Sequence, residues 1–375
     1  MLSQIRTVAA CAMLTVAAYA AAAQVNEGHP TTYVVQKGDT LWDISARFLK
    51  KPWLWPEIWQ ANPQVQNPHL IYPGDVLSLA YLDRVVAQPG PRAEAPINAI
   101  PLSQVEPFLK DLQVVDSFEH LPRVAGLEDN RLRASAGQKA YITGLDGAQV
   151  GQRYAVVRPT VRYALPETTV DLDARGKHVA GAGSLWANHV PTSERKEVLG
   201  FELAKVNVGT ITALPGAQVD VATLALEDSG REVRAGDRLI PVQAQPYDLQ
   251  FIPHPPAAQA LGSDVRVLAV TDMFTAGGSR DVIAISAGAR DGVDNGTVFS
   301  IWRNGSHVVD RHRHPGSSRM DDSLRDGAGR LTLPDEYASH AMVFRTYDKV
   351  SYALIMEGSR PTRVGYSLKH PDAQQ

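Results

Sequence analysis

The sequence predicts an α+β protein: a small strand–helix–helix–strand (βααβ) module, a linker, and a mostly β C-terminal region built of small barrel or sandwich units. Three observations predict this fold class. Residues 31–80 carry two helical patterns between two short strand patterns, a Pro/Ala-rich stretch follows, and the later apolar runs are separated by glycine-rich turns. The length of 375 residues suggests two or three domains, each large enough to bury a core.

Composition and charge exclude several classes of protein. The chain carries 37 Lys and Arg against 40 Asp and Glu, a formal net charge of -3. Because the chain is nearly neutral, a basic surface for nucleic acid is not expected. The single cysteine, Cys11, excludes a disulfide framework and a cysteine-based zinc site.

The first 23 residues have the pattern of a cleaved signal peptide. Arg6 precedes an uncharged apolar run that ends in Ala21-Ala22-Ala23, a small-residue pattern that signal peptidase accepts. A retained membrane anchor is the alternative, and Cys11 faintly resembles a lipoprotein cleavage site, although the apolar stretch before it is short. Cleavage predicts a periplasmic protein with no cysteine and no later transmembrane span.

Residues 31–80 predict the small module. A strand at Tyr33–Val35 leads through a Gly-Asp turn into a helix that Asp39 or Thr40 can cap. Prolines separate this helix from a second one, since proline ends a helix but is tolerated at its first position. Another Gly-Asp turn then precedes a strand at Val76–Leu79.

The module resembles the LysM family. The matching residues are Tyr33-x-Val35-x-x-Gly38-Asp39-Thr40-Leu41-Trp42-x-Ile44, Asn62-Pro63 and Ile71-Tyr72-Pro73-Gly74-Asp75-x-Leu77. That family binds N-acetylglucosamine-containing glycans, above all peptidoglycan, in a shallow groove between the loop after the first strand and the loop before the second. Carried onto this chain, the resemblance implies these glycan-binding residues: Gly38, Asp39, Thr40, Leu41, Asn67, Pro68, Leu70, Ile71 and Tyr72.

The residue types in the two loops suit a neutral acetamido sugar. Glycine lets the backbone approach the sugar closely, and Leu70, Ile71 and Tyr72 can supply an apolar wall for the ring. Asp39 and Asp75 are better explained as turn and cap residues than as ligand contacts. Large side chains are scarce in so small a module, so we expect its tryptophans to fill the core. These are Trp42, Trp55 and Trp59.

A polar Pro/Ala-rich stretch at 81–102 predicts a linker, and 103–370 predicts the β-rich region, with two subdomains meeting near 245–262. A capping box, Ser103 with Glu106, starts a short amphipathic helix. The strand candidates beyond it are Ala140–Thr143, Arg153–Arg158, Leu199–Val208, Gly209–Thr212, Val219–Leu226, Arg238–Pro241, Asp264–Val270, Asp281–Ser286, Thr297–Trp302, Ala341–Thr346 and Ser351–Met356.

One pattern recurs at an offset of 145 residues. Asp146-Gly147, Gly151, Tyr154 and Val156 correspond to Asp291-Gly292, Gly296, Phe299 and Ile301. We interpret this as a turn–strand device that starts a small β unit, with chance similarity as the alternative. The polar segment from Gly305 to Leu331 departs from the β pattern and predicts a mobile loop.

The tail has a more diffuse resemblance. With its head, linker and β-rich tail, the chain resembles the secretin-associated LysM proteins of type IV pili, whose tail is similar to the C-terminal region of flagellar assembly protein T. The residues that carry it are Leu199-Gly200-Phe201-Glu202, Arg231–Leu239 and Asp291-Gly292-Val293. The resemblance implies a tether whose head binds peptidoglycan and whose tail binds an outer-membrane secretin ring.

No catalytic motif is apparent. Signal cleavage removes the only thiol, and His312-Arg313-His314 lacks the upstream His-x-x-x-Asp of wall-lytic zinc enzymes, so an exposed basic loop is expected there. The chain has no glycine-rich phosphate loop, and no cofactor, metal or catalytic residue is expected. Two alternatives stay open: a cell-wall hydrolase with a LysM targeting module, and a general envelope-integrity factor.

Overall fold

The structure is a computed structural model that describes residues 30–62, 65, 71–79, 102–166, 197–227, 230–242, 252–262, 264–270, 276–305, 307–316 and 330–374. Two compact units divide it. The first comprises Met1–Pro101 with Ile252–His254, and the second comprises Leu102–Phe251 with Pro255–Gln375. None of the helices in the described ranges has the length and apolar character that a membrane crossing needs.

The first unit has the predicted strand–helix–helix–strand order. Its elements are β1 (Thr32–Val34), α1 (Leu41–Phe48), a 3₁₀ turn (Pro52–Leu54), α2 (Trp55–Gln60) and β2 (Val76–Ser78). Pro52 and Pro56 stand at the starts of the 3₁₀ turn and of α2, positions where proline is tolerated because its missing N–H has no helical partner there. The two strands pair antiparallel, and both helices lie between them in the chain.

The second unit is mostly β and contains two sheets. It begins with α3 (Leu102–Lys110). The strands of the first sheet are β3 (Leu112–Val115), β4 (Arg123–Leu127), β5 (Lys139–Thr143), β6 (Arg153–Ala164), β7 (Val198–Ala213), β8 (Ala222–Leu226) and β9 (Arg238–Pro241). A short helix, α4 (Ala258–Leu261), follows. The second sheet contains β10 (Val267–Val270), β11 (Val282–Ile285), β12 (Val298–Arg303), β15 (Glu336–Thr346), β16 (Ser351–Gly358) and β17 (Ser367–Lys369), and a separate hairpin is formed by β13 (His307–Val309) and β14 (Arg330–Thr332).

The first sheet closes into a six-stranded barrel. Its strands run in the order β7-β6-β9-β4-β5-β8, and β8 pairs again with β7, while β3 adds to the free part of the β7 edge. Alternate side chains point inward, where Val156, Val206 and Leu224 belong to one buried cluster. Phe118, Val157 and other outward side chains form a second cluster on the outside. The barrel is therefore filled, and part of its outside is covered as well.

The second sheet closes in the same way. Its order is β10-β11-β16-β15-β12-β17, and the residues entering β10 bond back to β17. Val267 donates its N–H to the carbonyl of Tyr366 at 3.0 Å, and Leu368 donates to the carbonyl of Val265 at 2.9 Å. The buried core, which includes Phe299 and Ile301, lies inside this ring of strands. The prediction of small barrel or sandwich units is thus confirmed, as two barrels.

The two barrels share one topology. Replacing β4, β5, β6, β7, β8 and β9 by β10, β11, β12, β15, β16 and β17 converts one strand order into the other. The repeat at an offset of 145 marks the same turn in both: Gly151 (φ 90°) donates to the carbonyl of Ile211 at 2.8 Å, and Gly296 (φ 99°) donates to that of Val343 at 2.7 Å. The recurring turn and strand are confirmed as parts of a duplicated barrel, but the turn precedes the third strand of each barrel, β6 and β12, and does not start the unit.

Several predicted boundaries were wrong. The segment from Gly305 to Leu331 was expected to lack β structure, yet it contributes β13 and the first residues of β14, which pair with each other. Residues 199–212 form one long strand rather than two. Gly209 does not interrupt the strand but lets it lie close to β8, since a Cβ there would meet the carbonyl oxygen of Ala225 at 2.6 Å. The strands β3, β4 and β17 were missed, since each is short and continues from a turn.

A buried polar cluster joins the two barrels. Glu202 of β7 is fully buried and accepts hydrogen bonds from the hydroxyls of Thr160 (2.8 Å), Tyr163 (2.7 Å) and Tyr352 (2.7 Å). The first two lie on β6 of the same barrel, while Tyr352 lies on β16 of the other. The barrels therefore meet through specific polar contacts within the second unit.

Candidate glycan-binding site

The two predicted loops meet at one end of the first unit. Because β1 and β2 are antiparallel, the end of β1 lies beside the start of β2. Val35 donates its N–H to the carbonyl of Asp75 at 2.8 Å and accepts the N–H of Gly74 at 2.8 Å. The turn after β1 and the turn before β2 are thus joined by backbone hydrogen bonds.

The turn after β1 is closed by its own aspartate. Gly38 has a φ of 90°, a value that suits the third position of a type II turn and favours glycine. The N–H of Asp39 donates to the carbonyl of Gln36 at 3.1 Å, and the N–H of Gln36 donates to the carboxylate of Asp39 at 2.8 Å. The carboxylate of Asp39 therefore stabilises the turn of which Asp39 is the last residue.

The turn before β2 repeats this arrangement. Gly74 also has a φ of 90°. Asp75 donates its N–H to the carbonyl of Tyr72 at 3.0 Å, and the N–H of Tyr72 donates to the carboxylate of Asp75 at 3.0 Å. Two equivalent Gly-Asp turns stand side by side, and both leave peptide groups at the surface of the same end.

The carboxylate of Asp39 serves the fold. It is 4% exposed, and besides the turn it accepts a hydrogen bond from the hydroxyl of Tyr33 at 2.7 Å and one from the guanidinium of Arg47 at 3.0 Å. Burial, with the hydrogen bond to Asp39 as the next cause, raises the pKa of Tyr33. Any contact of this residue with a sugar therefore has to come from its backbone.

Thr40 caps the first helix. Its hydroxyl accepts the N–H of Asp43 at 3.0 Å and donates to the Asp43 carboxylate at 2.8 Å, which also accepts the N–H of Thr40 at 3.2 Å. This reciprocal pair is a capping box, and it satisfies N–H groups that a helix start leaves without partners. Of the two predicted caps, Thr40 is the one that the structure uses.

The predicted apolar wall is only partly available. The side chains of Leu41 and Ile71 are 1% exposed and lie in the core, so the expectation that Ile71 offers apolar surface to a sugar is wrong. Tyr72 is half-buried and Gly38 is exposed, with open space around the position of a Cβ. Three further predicted site residues lie outside the described residues: Asn67, Pro68 and Leu70.

Residues 33–80 match the LysM domain family. Within the first unit, these residues are a LysM domain. Over 60 aligned residues the chain is also 37% identical to the uncharacterized protein YqbP of Bacillus subtilis (strain 168), a match that covers 13% of this chain and 27% of YqbP. The chain thus spans about a quarter of the length of that relative. A LysM domain indicates binding of peptidoglycan or a related carbohydrate.

The tryptophans of the LysM domain fill its interior. Trp42 and Trp55 are buried, as the sequence predicts. Trp59 is half-buried and packs against Trp55 with ring centres 6.5 Å apart, while its Nε1 donates to the carbonyl of Val65 at 2.6 Å. Among the described residues of the two predicted loops, the surface is therefore formed by the turn backbones and by Tyr72 rather than by these tryptophans.

Asn62 has a structural role that the sequence analysis missed. This fully buried amide donates to the carbonyls of Ile58 (2.7 Å) and Ser78 (2.9 Å), and it accepts the N–H of Ser78 at 2.7 Å. It therefore joins the end of α2 to β2, the strand that carries the second turn. An asparagine directly after an amphipathic helix and before a proline was the available signal.

Proposed function

We propose that this protein is a non-enzymatic, periplasmic peptidoglycan-binding protein that anchors an outer-membrane assembly, the secretin of type IV pili, to the cell wall. The observation that carries the proposal is the pair of Gly-Asp turns, joined through Val35, at one end of the LysM domain. They present exposed glycine backbone beside a half-buried tyrosine, which suits a neutral acetamido sugar.

The first part of the proposal, peptidoglycan binding, is supported by the different roles of the aspartate side chains and the backbone in the two turns. The carboxylates of Asp39 and Asp75 close their own turns, so these turns offer a sugar their peptide groups and the ring of Tyr72 rather than carboxylates. Binding through such groups is weakly screened by salt, whereas binding between exposed charges is strongly screened. A salt-tolerant interaction with the cell wall is therefore expected.

The partner half rests on the resemblance of the tail to the secretin-associated LysM proteins. The two barrels carry the residues of that resemblance, among them Glu202 in the cluster between barrels and the turn at Asp291-Gly292-Val293. Copies arranged around a ring would hold the wall through many weak contacts at once, because each bound domain raises the effective concentration of the next. A tether needs no tight single contact.

The proposal that the protein is not an enzyme is supported by two catalytic features that its sequence lacks. Residues 24–375 contain no cysteine and no Gly-x-x-x-x-Gly-Lys-Ser/Thr loop. Within the described ranges, no group of three or more His, Cys, Asp or Glu side chains could hold a metal ion. His312 and His314 are exposed on their loop. Zymography on peptidoglycan-embedded gels tests this reading, and a cleared band would identify a hydrolase instead.

Co-sedimentation with purified sacculi tests the glycan half. The full-length protein is expected to pellet with sacculi equally in about 50 mM and about 500 mM salt. Tyr72→Ala should weaken this binding about tenfold or more with little change in melting temperature, because Tyr72 is half-buried at the turn. Gln60→Ala, exposed on α2, is the matched control and should bind as the parent does. Binding lost in moderate salt would contradict the proposal.

Affinity purification from cells tests the partner half. The full-length protein should co-purify with an outer-membrane ring, and a variant lacking residues 24–82 should keep the ring but no longer sediment with the wall. Cleavage of residues 1–23 should be visible as an N-terminus at Gln24 in the recovered protein. Co-purification with no outer-membrane ring would leave a general envelope-integrity factor as the better description.

A further inference from the structure

A cavity of about 490 Å³ lies on the outside of the first barrel. Its floor is apolar and includes the buried side chains of Ala155, Val157 and Leu203, which belong to the outer cluster rather than to the barrel interior. The end of α3 and the start of β3 form one wall, and Val242, 45% exposed, stands at the mouth. Cavities of this size hold ligands or large side chains in many proteins.

The second barrel shows what fills the equivalent place. By the offset of 145, Ala155 corresponds to Ser300 and Val157 to Trp302. Trp302 is 3% exposed, its Nε1 donates to the hydroxyl of Ser300 at 2.8 Å, and Lys369 lies 4.9 Å from the centre of its ring. A large aromatic side chain thus fills the space on the second barrel that small side chains leave open on the first.

The residues paired across the strands at the neighbouring position are also smaller and less polar on the first barrel than on the second. Ala155 pairs with Val208, and Ser300 pairs with His340. His340 donates through Nε2 to the carbonyl of Pro371 at 3.1 Å, so the face of the second barrel is closed by polar bonds to its own chain. Interiors and covered faces are normally packed as densely as organic crystals. The open apolar face of the first barrel is the exception within the duplicated pair.

The rim of the cavity is predominantly basic. Its charged side chains are Lys110, Lys205 and Arg345 against the single carboxylate of Asp111. Asp111 pairs with Lys205 at 2.5 Å, and Arg345 lies over the ring of Tyr347 at 5.2 Å. Glu106 also pairs with Lys110, so the rim and the side chains bonded to it carry three cations against two carboxylates. This net positive charge favours a partner that brings negative charge to the rim.

We propose that this cavity is the docking site for an extended, acidic segment of the partner protein, which inserts one large apolar side chain between Ala155 and Val157. The proposal rests on the proposed tether function and specifies which surface of the tail meets the partner. A peptide fits because the rim also carries Gln113, whose amide can bond a peptide backbone. A bilayer surface cannot reach a concave floor, since interfacial binding needs a protruding apolar face.

Selection from a phage-displayed library of random peptides of about twelve residues tests the proposal on the purified full-length protein. The selected peptides should be enriched in Asp and Glu around a Leu, Ile, Phe or Trp. Ala155→Trp, which places an indole on the cavity floor as Trp302 does from two positions further along the equivalent strand of the second barrel, should bind them at least about tenfold more weakly. Val219→Trp, at an exposed position on the β7–β8 hairpin, is the matched control and should bind normally.

A second variant keeps the test decisive where the new tryptophan lowers the melting temperature. Lys110→Gln with Lys205→Gln removes two rim charges from partly exposed side chains, and it should reduce binding of the selected acidic peptides about tenfold while leaving the melting temperature nearly unchanged. Peptides that are basic, or that bind both variants as tightly as the parent, would overturn the proposal.

Other occupants give different results. Dimerisation that Ala155→Trp abolishes, measured by sedimentation equilibrium, would assign the cavity to a second copy and overturn the proposal. Binding to phosphatidylglycerol vesicles that the same variant abolishes would assign it to lipid and overturn it also. Because the selection uses neither cell wall nor secretin, its failure with sacculus binding and ring co-purification intact would refute only this site. Loss of ring co-purification in the parent protein would instead refute the tether.

Discussion

The phenol of Tyr352 in the second barrel donates a 2.7 Å hydrogen bond to the buried carboxylate of Glu202 in the first. Tyr163 donates to the same oxygen at 2.7 Å from its own barrel, and the two phenol oxygens lie 3.4 Å apart. A buried carboxylate is stable only while its hydrogen bonds are made. The contact between the duplicated barrels therefore depends on this cluster as well as on the aromatic rings around it.

Tyr352→Phe should destabilise the C-terminal unit by about 1–3 kcal/mol, because it removes one donor from a fully buried carboxylate without changing the packed volume. Thermal unfolding of the full-length protein measures this. Tyr154→Phe is the matched control: Tyr154 is buried in the first barrel, and its hydroxyl makes no hydrogen bond to the described residues. An equal loss in both variants would contradict a specific role for the cluster.

The same cluster predicts instability at alkaline pH. Burial first, and then the neighbouring charges of Glu202 and Tyr163, raise the pKa of Tyr352 well above its ordinary value of 10.0. Unfolded tyrosine loses its proton first, so this contribution to stability is complete below about pH 10 and is lost as the pH rises further. Melting temperatures from about pH 8 to about pH 12 should fall less steeply for Tyr352→Phe than for the parent. Parallel curves would show that the cluster is not responsible.

Asn62 offers a test of how the glycan-binding turns are supported. Asn62→Ala leaves the buried N–H and carbonyl of Ser78 without their side-chain partner, which should cost about 1–3 kcal/mol per unsatisfied group. Sacculus binding should weaken in parallel with the melting temperature of the LysM domain, since β2 carries the second turn. Normal binding by a destabilised domain would mean that the turns hold their shape without this link.

Gly38→Ala tests the turn itself. A Cβ there meets open space, so the change acts through the φ of 90°, and it should cost on the order of 1–2 kcal/mol. Weaker sacculus binding is also expected, because the exposed peptide groups of this turn belong to the proposed site. Gly216→Ala provides the control: it too has open space, without a positive φ, and should be neutral. Equal effects at the two glycines would argue against backbone strain.

Local patterns in the sequence determined the elements of the LysM domain and most strands. Helix α1 begins and ends where the spacing of Leu41, Ile44 and Phe48 predicts, because a capping threonine and an amphipathic stripe act within a few residues. The offset of 145 marked the turn before the third strand of each barrel, since both turns place glycine at a positive φ. Each of these features depends only on residues within a short stretch of the chain.

Which of these residues face solvent, and which meet across the fold, depends on how the elements pack together. Ile71 is buried although it stands in the same loop pattern as the half-buried Tyr72. The amide link from Asn62 to Ser78 and the hydroxyl cluster around Glu202 join residues that are far apart in the sequence. The cavity beside Ala155 lies where the other barrel is filled by Trp302, a difference that appears only when the two folded barrels are compared. Sequence periodicity assigns a side chain to one face of an element, but closure of the sheets determines what that face meets.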